Sequence, residues 1–286
     1  MLWNNLKTAF SVATIELNKS LRSTKILIFA LFAIFINYQA VDPLRQIHTD
    51  MNGMRLSLTE PFIVCGNSGV ILLVLPILYL VMMADFPRQG QEIYFFKIRM
   101  NDRIWYMGQI LYSLLSAVFV VVVIFLLSSI LSCDFISLRT GFSRAVREYY
   151  ESYPDKDHFL MELIPTNLLN NISAERSFAY TFFMLILYFH FISLVILLFS
   201  KIGGKLIGLV TDGFLIIGGT AVCNFESVLR WVFPLAHSIT WLHYNQYKSE
   251  MAFPLYGSFL YFLILDITLI ILILAVPKKD ETKVMT

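Results

Sequence analysis

Long apolar runs constrain this chain more than any other feature of its sequence. A helix needs about 20 consecutive apolar residues to cross the roughly 30 Å hydrocarbon core of a bilayer. Runs near that length occupy residues 25–41, 62–84, 104–131, 180–200, 206–223 and 255–276. The chain is 57% hydrophobic and 15% charged, whereas a soluble domain is roughly 25% charged. The sequence therefore predicts an all-α integral membrane protein, in which residues 1–286 form a single domain with six transmembrane helices.

The distribution of lysine and arginine predicts the orientation of these spans. These residues concentrate in the N-terminal segment, in the links after the second and fourth spans, and in the C-terminal tail. On the other side they are diluted over longer loops that also hold many acids. Because cytoplasmic loops carry the excess of positive charge, we expect both termini on the cytoplasmic side of the bilayer.

Two segments outside the spans have patterns typical of a membrane surface. Within residues 1–23, one arc of a helical wheel holds Leu2, Trp3, Leu6, Phe10, Ala13, Leu17 and Leu21. This arc predicts an interfacial amphipathic helix on the inner leaflet. Before the sixth span, residues 226–251 hold apolar patches too short to cross, which predicts a re-entrant or surface-lying outer segment. The outer loop 132–179 is the longest polar region.

The link between the second and third spans has the most specific pattern. On a helical wheel of residues 88–103, one arc holds Arg88, Gln91, Glu92, Arg99, Asp102 and Arg103. Phe95 falls in the middle of this polar arc, whereas Phe96 lies on the apolar side. An aromatic side chain framed by charges makes a good anchor for a soluble partner. An interfacial helix with Phe95 directed toward lipid explains the periodicity equally well.

The sequence contains no ATP-hydrolysing motif. Its nearest approach to a phosphate-binding loop is Gly203-Gly204-Lys205-Leu206. The first glycine of that motif is replaced by Phe199, and Leu206 stands where a serine or threonine must contact magnesium. We therefore expect no cofactor in this chain and no nucleic-acid partner. Any ATPase, with its ATP and magnesium, must be another chain.

Three ionisable residues lie inside predicted spans: His190, Asp212 and Asp266. A charge at the bilayer centre costs about 2.5 to 3.5 kcal/mol on insertion scales, so such groups often mark a pathway. His190 and Asp266 are at similar depth and could pair, although a simple packing hydrogen bond between helices is the alternative. On the fifth span, Gly204, Gly208, Gly218 and Gly219 share a face bordered by Asp212. That face predicts close packing against another helix, which could belong to a second subunit.

Two other functions fit some of these residues. An ATP-independent channel or carrier could use Asp212 and Asp266 as ion sites. An intramembrane serine protease could use Ser68, in a GxSG tetrapeptide, with His190 as the base. In the rhomboid family, however, the serine and histidine lie in the fourth and sixth spans, whereas here they lie in the second and fourth.

The cysteines Cys65, Cys133 and Cys223 lie near predicted outer ends of spans. They have neither CxxC nor metal-ligand spacing, and an odd number leaves one unpaired. The sequence favours packing roles for them over a disulfide.

Several segments together resemble the permeases of bacterial ABC exporters of the second, type V class. The stretch from Glu16 to Lys25 is similar to the start of many such permeases. The second span from Pro76 to Asp85, the polar link through Arg99, and residues 103–109 resemble the family's second span, coupling helix and the start of its third span. Pro234-Leu235-Ala236-His237-Ser238 is similar to the family's outer re-entrant region.

This resemblance implies a multi-pass permease of the bacterial plasma membrane that forms a translocation path with a second permease subunit. It implies two cytosolic ATPase subunits docked on the coupling helix, with Arg88, Gln91, Glu92, Phe95, Phe96, Arg99 and Arg103 as the candidate contacts. Candidate path residues are Asp212, His190 and Asp266. Relatives export peptides, drugs or polysaccharides, and peptides are the substrate favoured here.

Overall fold

The computed structural model describes residues 2–88, 100–152, 164–223, 225, 227–245 and 251–277. Its α-helices are α1 (Leu2–Leu21), α2 (Thr24–Asp50), α3 (Glu60–Asn67), α4 (Gly69–Met82), α5 (Asp102–Leu131), α6 (Arg144–Ser152), α7 (Thr166–Asn171), α8 (Ala174–Ile202), α9 (Lys205–Cys223), α10 (Pro234–Ser238) and α11 (Leu255–Ala275). Short 3-10 helices cover Met83–Asp85, Val228–Val232 and Trp241–His243. The strands β1 (Leu56–Ser57) and β2 (Ile136–Ser137) pair in parallel.

Among the described residues, five helices are long and apolar enough to cross a bilayer: α2, α5, α8, α9 and α11. This architecture agrees with the predicted multi-pass, all-α membrane protein. The predicted second span, 62–84, is not one continuous helix, because the pair α3 and α4 is bent by 82°. The count reaches six only if this bent pair is taken as one span. Ser68 at the bend has extended backbone angles, and it lies between Asn67 and Gly69, two residue types that favour turns over helix interiors.

Two other boundaries differ from the predicted ones. The first apolar run ends near residue 41, but α2 continues through Pro43 to Asp50. At the fourth span, α8 begins at Ala174, where the Ser173 hydroxyl accepts the backbone N–H of Arg176 at 3.4 Å. The long outer loop therefore ends at residue 173, because a polar first turn with a serine cap extends the helix beyond its apolar part.

The bundle has two ends, here named by their position relative to α1. The proximal end holds α1, the beginnings of α2, α5 and α9, and the ends of α4, α8 and α11. The distal end holds the strands, α6, α7 and the segment between α9 and α11. Within the most apolar stretch of each span, 78% of residues are buried in α8, against 22% in α9 and in α11. Helix α8 is therefore the central element around which the others pack.

The N-terminal helix lies along α5 and packs mainly through residues outside the predicted apolar arc. Its buried side chains include Ala9, Val12 and Ala13. Gly108 of α5 lets the helices approach closely, because a Cβ there would lie 2.7 Å from Val12 and 3.1 Å from the Ala9 carbonyl. Trp3 and Phe10 of the predicted apolar arc are exposed. The helix therefore uses one face for the bundle and leaves an aromatic face free, which suits an interfacial position.

A buried carboxylate joins the two distal loops. Glu60, the first residue of α3, is fully buried. Its two oxygens accept the backbone N–H of Ser57 at 2.8 Å and of Ser143 at 2.6 Å. These bonds connect the first distal loop to the segment that precedes α6, next to the parallel pairing of β1 with β2.

The glycine face of α9 packs inside the same chain. A Cβ on Gly208 would lie 2.9 Å from the backbone of Ile196 in α8. Gly218 and Gly219 contact Phe233 and Leu235 beside and within α10, whereas Gly204 has open space around it. The predicted close approach is confirmed for the first three of these contacts, and α8 and the distal segment fill the face that a second subunit could have covered.

Candidate functional site

The link assigned to partner docking is only partly described. Five of its candidate contacts lie outside the described residues: Gln91, Glu92, Phe95, Phe96 and Arg99. The two flanking candidates are visible. Arg88 Nε lies 3.7 Å from Glu16 Oε2 of α1. Arg103 is exposed in the first turn of α5, and its backbone N–H donates to the side-chain carbonyl of the N-cap Asn101 at 3.1 Å.

Asp85 joins three helices where this link leaves the bundle. Its Oδ1 lies 2.7 Å from Lys25 Nζ of α2 and 4.0 Å from Lys205 Nζ of α9. The carboxylate follows directly after α4, so it ties the end of α4 to the beginnings of α2 and α9. Its side chain is 58% exposed. Solvent therefore screens these ion pairs, which fix relative position more than they add stability.

Lys201 connects α8 to α11 and α5 at the proximal end. This buried lysine of α8 donates from Nζ to the Ile273 carbonyl of α11 at 2.5 Å, and Nζ lies 4.1 Å from the ring centroid of Tyr106 in α5. The last carbonyls of a helix lack intrahelical partners and carry partial negative charge. Lys201 therefore caps α11 and holds it against α5 and α8.

The candidate path residues do not meet in one cluster. His190 is buried in α8, and its Nδ1 lies 2.9 Å from the Ser113 hydroxyl of α5. That hydroxyl donates to the Ile110 carbonyl at 2.7 Å, so the imidazole N–H is the donor to Ser113. Asp266 of α11 is buried, and its Oδ1 has no hydrogen-bond partner. The possible pair of His190 with Asp266 is therefore not formed, and His190 makes the alternative, a packing hydrogen bond between helices, with Ser113.

Asp212 is the least compensated polar group in the described bundle. It has no exposed surface, and neither carboxylate oxygen has a hydrogen-bond partner. The buried hydroxyl of Tyr188, also without a partner, is close enough to interact with it electrostatically. An isolated buried carboxylate is costly in an apolar environment. This position therefore keeps its status as a candidate path or ion-binding residue.

The bend between α3 and α4 is held from two sides by Asn67. Its side-chain carbonyl accepts the backbone N–H of Thr240 at 2.8 Å, and its amide donates to the Thr181 hydroxyl at 3.1 Å. The Asn67 backbone carbonyl accepts the indole N–H of Trp241 at 2.9 Å. The distal segment and α8 thus satisfy polar groups that a break inside an apolar span would otherwise leave without partners.

The serine–histidine pair considered from the sequence is not assembled. Ser68 is buried at the bend, and among the described residues no hydrogen bond joins it to His190. The imidazole Nδ1 instead bonds to Ser113 of α5. A general base must lie within hydrogen-bond reach of its nucleophile, so this arrangement does not activate Ser68.

A histidine cluster that was not predicted from the sequence joins the distal segment to α8 and α11. The Ser258 hydroxyl of α11 lies 2.8 Å from both His237 Nδ1 and His243 Nε2. The Tyr180 hydroxyl of α8 is 3.0 Å from His243 Nε2 and 2.9 Å from the His237 carbonyl. The opposite ring nitrogens face the carbonyls of Trp231 and Ile239. These carbonyls can only accept, so His237 is protonated on Nε2 and His243 on Nδ1.

Burial keeps both of these imidazoles neutral. Removal from water lowers the pKa of His237 and of His243 to about 4, against 6.5 for an exposed histidine. For His243, the positive charges of neighbouring groups, including Arg230, act in the same direction. In this state the cluster connects α8, α11 and the distal segment through neutral hydrogen bonds.

All three cysteines are free. Cys65 is buried, and its thiol donates to Asn37 Oδ1 at 3.3 Å. Cys133 is exposed and Cys223 is partly buried. The structure thus agrees with the absence of a disulfide that the spacing favoured.

Comparison with known proteins gives no match to a family model, to a curated protein or to a solved structure.

Proposed function

We propose that the chain is the permease subunit of an ATP-driven exporter in the bacterial plasma membrane. The observation that carries the proposal is the attachment of the link after α4 to the rest of the bundle. Asp85 connects its beginning to α2 and α9, and Arg88 approaches Glu16 of α1. The positive charge of the loops supports a cytoplasmic location for this proximal end, where a soluble motor could reach it.

These attachments offer a route by which a force on the link could move the spans. Asp85 would pass displacement to α2 and α9, and Arg88 would pass it to α1. Helix α1 contacts α5 closely at Gly108. The pairs of the exposed Asp85 contribute only about 0 to 1 kcal/mol each, so they can rearrange during a transport cycle without unfolding the bundle.

The proposed complex contains two copies of a cytosolic ATPase, which supply ATP and magnesium, and a second permease subunit. Phe95, framed by Glu92 and Arg99, would be the main anchor for the ATPase. Peptides are the proposed substrates. Asp212, and with less support His190 and Asp266, would line or border the translocation path.

Co-purification tests this proposal. The chain is expressed together with the proteins encoded by its neighbouring reading frames, either as wild type or with Phe95→Asp. We expect the wild type to retain the ATPase and Phe95→Asp to lose both the ATPase and substrate export. The matched control is Phe225→Asp, an exposed distal phenylalanine, which should retain both. If wild type never retains an ATPase and Phe95→Asp leaves activity intact, the exporter assignment is wrong.

An ATP-independent carrier is the second candidate function, and the uncompensated Asp212 favours it. In proteoliposomes that contain this chain alone, a carrier would move monovalent cations or protons, and Asp212→Asn would abolish that flux. The exporter assignment predicts no such flux without the ATPase. Ion flux by wild type alone would therefore replace the first proposal with this one.

A further inference from the structure

The short 3-10 helix Val228–Val232, at the distal end, carries an arginine among exposed apolar side chains. Val228 is 85% exposed, and Leu229 and Val232 are each 65% exposed. Arg230 lies between them in the chain. A short apolar surface with a central cation does not suit free solvent, but it is the composition that the polar–apolar boundary of a bilayer accommodates.

Contacts on both sides fix the depth of this helix in the bundle. Phe233, the residue after it, packs against Gly218 near the end of α9, and Leu235 packs against Gly219. The Tyr261 hydroxyl of α11 donates to the Val232 carbonyl at 2.7 Å. The 3-10 helix is therefore level with the distal ends of two apolar spans, where hydrocarbon gives way to lipid headgroups.

Arg230 has no acidic partner in the described part of the chain. It makes no ion pair with any residue that the structure describes, and its buried Nε has no hydrogen-bond acceptor. Its guanidinium carbon lies 5.3 Å from the ring centroid of Trp231, a contact that orients the charge without neutralising it. A cation beside an apolar surface is costly unless an anion or water pairs with it.

We propose that Arg230 binds the phosphate of a phospholipid in the distal leaflet. The planar guanidinium donates two parallel hydrogen bonds to a phosphate; since Nε is buried, the two terminal nitrogens would be the fork donors. The acyl chains of the same lipid would cover Val228, Leu229 and Val232 and the exposed face of α9 at Ile217. The lipid would thereby hold the distal segment that closes over Asn67 and the histidine cluster. This inference depends on the membrane location of the chain and not on the proposed exporter function.

Native mass spectrometry of the full-length chain tests the lipid site. The probe is dioleoyl phosphatidylglycerol, and dioleoylglycerol, which has the same acyl chains without phosphate, is the lipid control. We expect phosphatidylglycerol to bind more tightly than dioleoylglycerol. Arg230→Gln should weaken the binding of phosphatidylglycerol roughly fivefold, since one basic residue near the headgroups contributes about 1 kcal/mol. Arg230→Lys, which keeps the charge but loses the fork, should fall between the two.

The matched control is Arg139→Gln, because Arg139 is exposed in a distal loop and is outside the 3-10 helix. It should bind phosphatidylglycerol as wild type does. A thermal-shift measurement on wild type needs no variant and should show stabilisation by phosphatidylglycerol only. The proposal is overturned if Arg230→Gln binds phosphatidylglycerol as tightly as wild type, or if diacylglycerol binds equally well. It is also overturned if excess inorganic phosphate alone displaces the lipid, because the site would then recognise a free anion.

Discussion

At the scale of single residues, Asn67 is the position where one side chain compensates for a broken span. Its amide group bonds to Thr240 of the distal segment and to Thr181 of α8. We expect Asn67→Ala to leave the buried Thr240 N–H unsatisfied and to cost about 1 to 3 kcal/mol. The apparent unfolding temperature of the purified protein, followed by intrinsic fluorescence, measures this loss.

Asn4→Ala is the control for this substitution. Asn4 is an exposed helical asparagine in α1, and surface substitutions of this kind change stability by about 0.5 kcal/mol or less. An unfolding temperature for Asn67→Ala equal to that of Asn4→Ala would mean that the bend between α3 and α4 does not depend on this side chain.

His237 and His243 make the stability of the distal end depend on pH. Their pKa is about 4 in the folded protein and 6.5 in the unfolded chain. At these two positions the unfolded chain therefore binds more protons between these values, so the stability that they contribute is complete above pH 6.5 and is lost as the pH drops toward 4. At about 1.4 kcal/mol per pKa unit, the loss is roughly 3 kcal/mol for each histidine if they titrate independently.

Thermal unfolding across that pH range tests this dependence. As the pH falls from 6.5 to 4, the double variant His237→Asn, His243→Gln should lose less stability than wild type. Asn4→Ala, at an exposed position of α1, should keep the wild-type slope. A wild-type slope in the double variant would show that other groups are responsible.

At the scale of elements, the packing of α9 on α8 depends on a glycine. A Cβ at Gly208 would lie 2.9 Å from the Ile196 backbone, whereas around Gly213 there is open space. Gly208→Ala should therefore force the two helices apart and cost about 1 to 3 kcal/mol. Gly213→Ala should be neutral or stabilising by up to about 1 kcal/mol, since alanine is the better helix former. Unfolding temperatures that rank the two variants in the opposite order would contradict this packing.

The sequence predicts best those elements that depend on composition alone. Hydropathy depends on composition alone, so the apolar parts of α5, α9 and α11 were located to within a few residues. The bend at Ser68 was missed because one Asn-Ser-Gly step barely changes the mean hydropathy of a long apolar run. These residue types nevertheless favour turns, so they do indicate a break in a helix. For α1 the sequence predicted the apolar arc with Trp3 and Phe10, which is exposed, but not the separate face with Ala9 and Val12 that packs on α5.

The candidate site was less predictable than the spans. Burial of Asp212 followed from its place in an apolar run, but the partner of His190 did not. Ser113 lies in a different helix, and the hydrophobic period of one helix does not determine which residues of a neighbouring helix face it. The same holds for Tyr180, Ser258 and the two distal histidines, which come from separate elements. The individual residues were visible in the sequence, whereas their meeting depends on tertiary packing.

At the scale of the whole molecule, the two ends of the bundle are held by different chemistry. The distal end closes mainly through buried hydrogen bonds around Asn67, Ser258 and Glu60, beside one exposed ion pair of Arg45 with Asp134. The proximal end is joined through charges: Asp85 with two lysines, Arg88 near Glu16, and Lys201 on the α11 carbonyl. Solvent-exposed ion pairs exchange partners at small cost, whereas buried polar networks resist partial opening. Under the proposed function, the proximal end is thus the easier end to displace.

Asp85→Asn tests whether the proximal charges transmit motion. The variant loses the attraction to Lys25 and Lys205 but should unfold near the wild-type temperature, because exposed ion pairs contribute about 0 to 1 kcal/mol. If the pairs couple the link to α2 and α9, export per ATP hydrolysed should fall by a coupling energy of about 0.5 to 2 kcal/mol, roughly two- to thirtyfold. Asp134→Asn is the matched control, since Asp134 pairs with Arg45 at the distal end and its side chain is 61% exposed, against 58% for Asp85. Reconstituted complexes that export equally well per ATP with either variant would show that these charges position the proximal end without transmitting force.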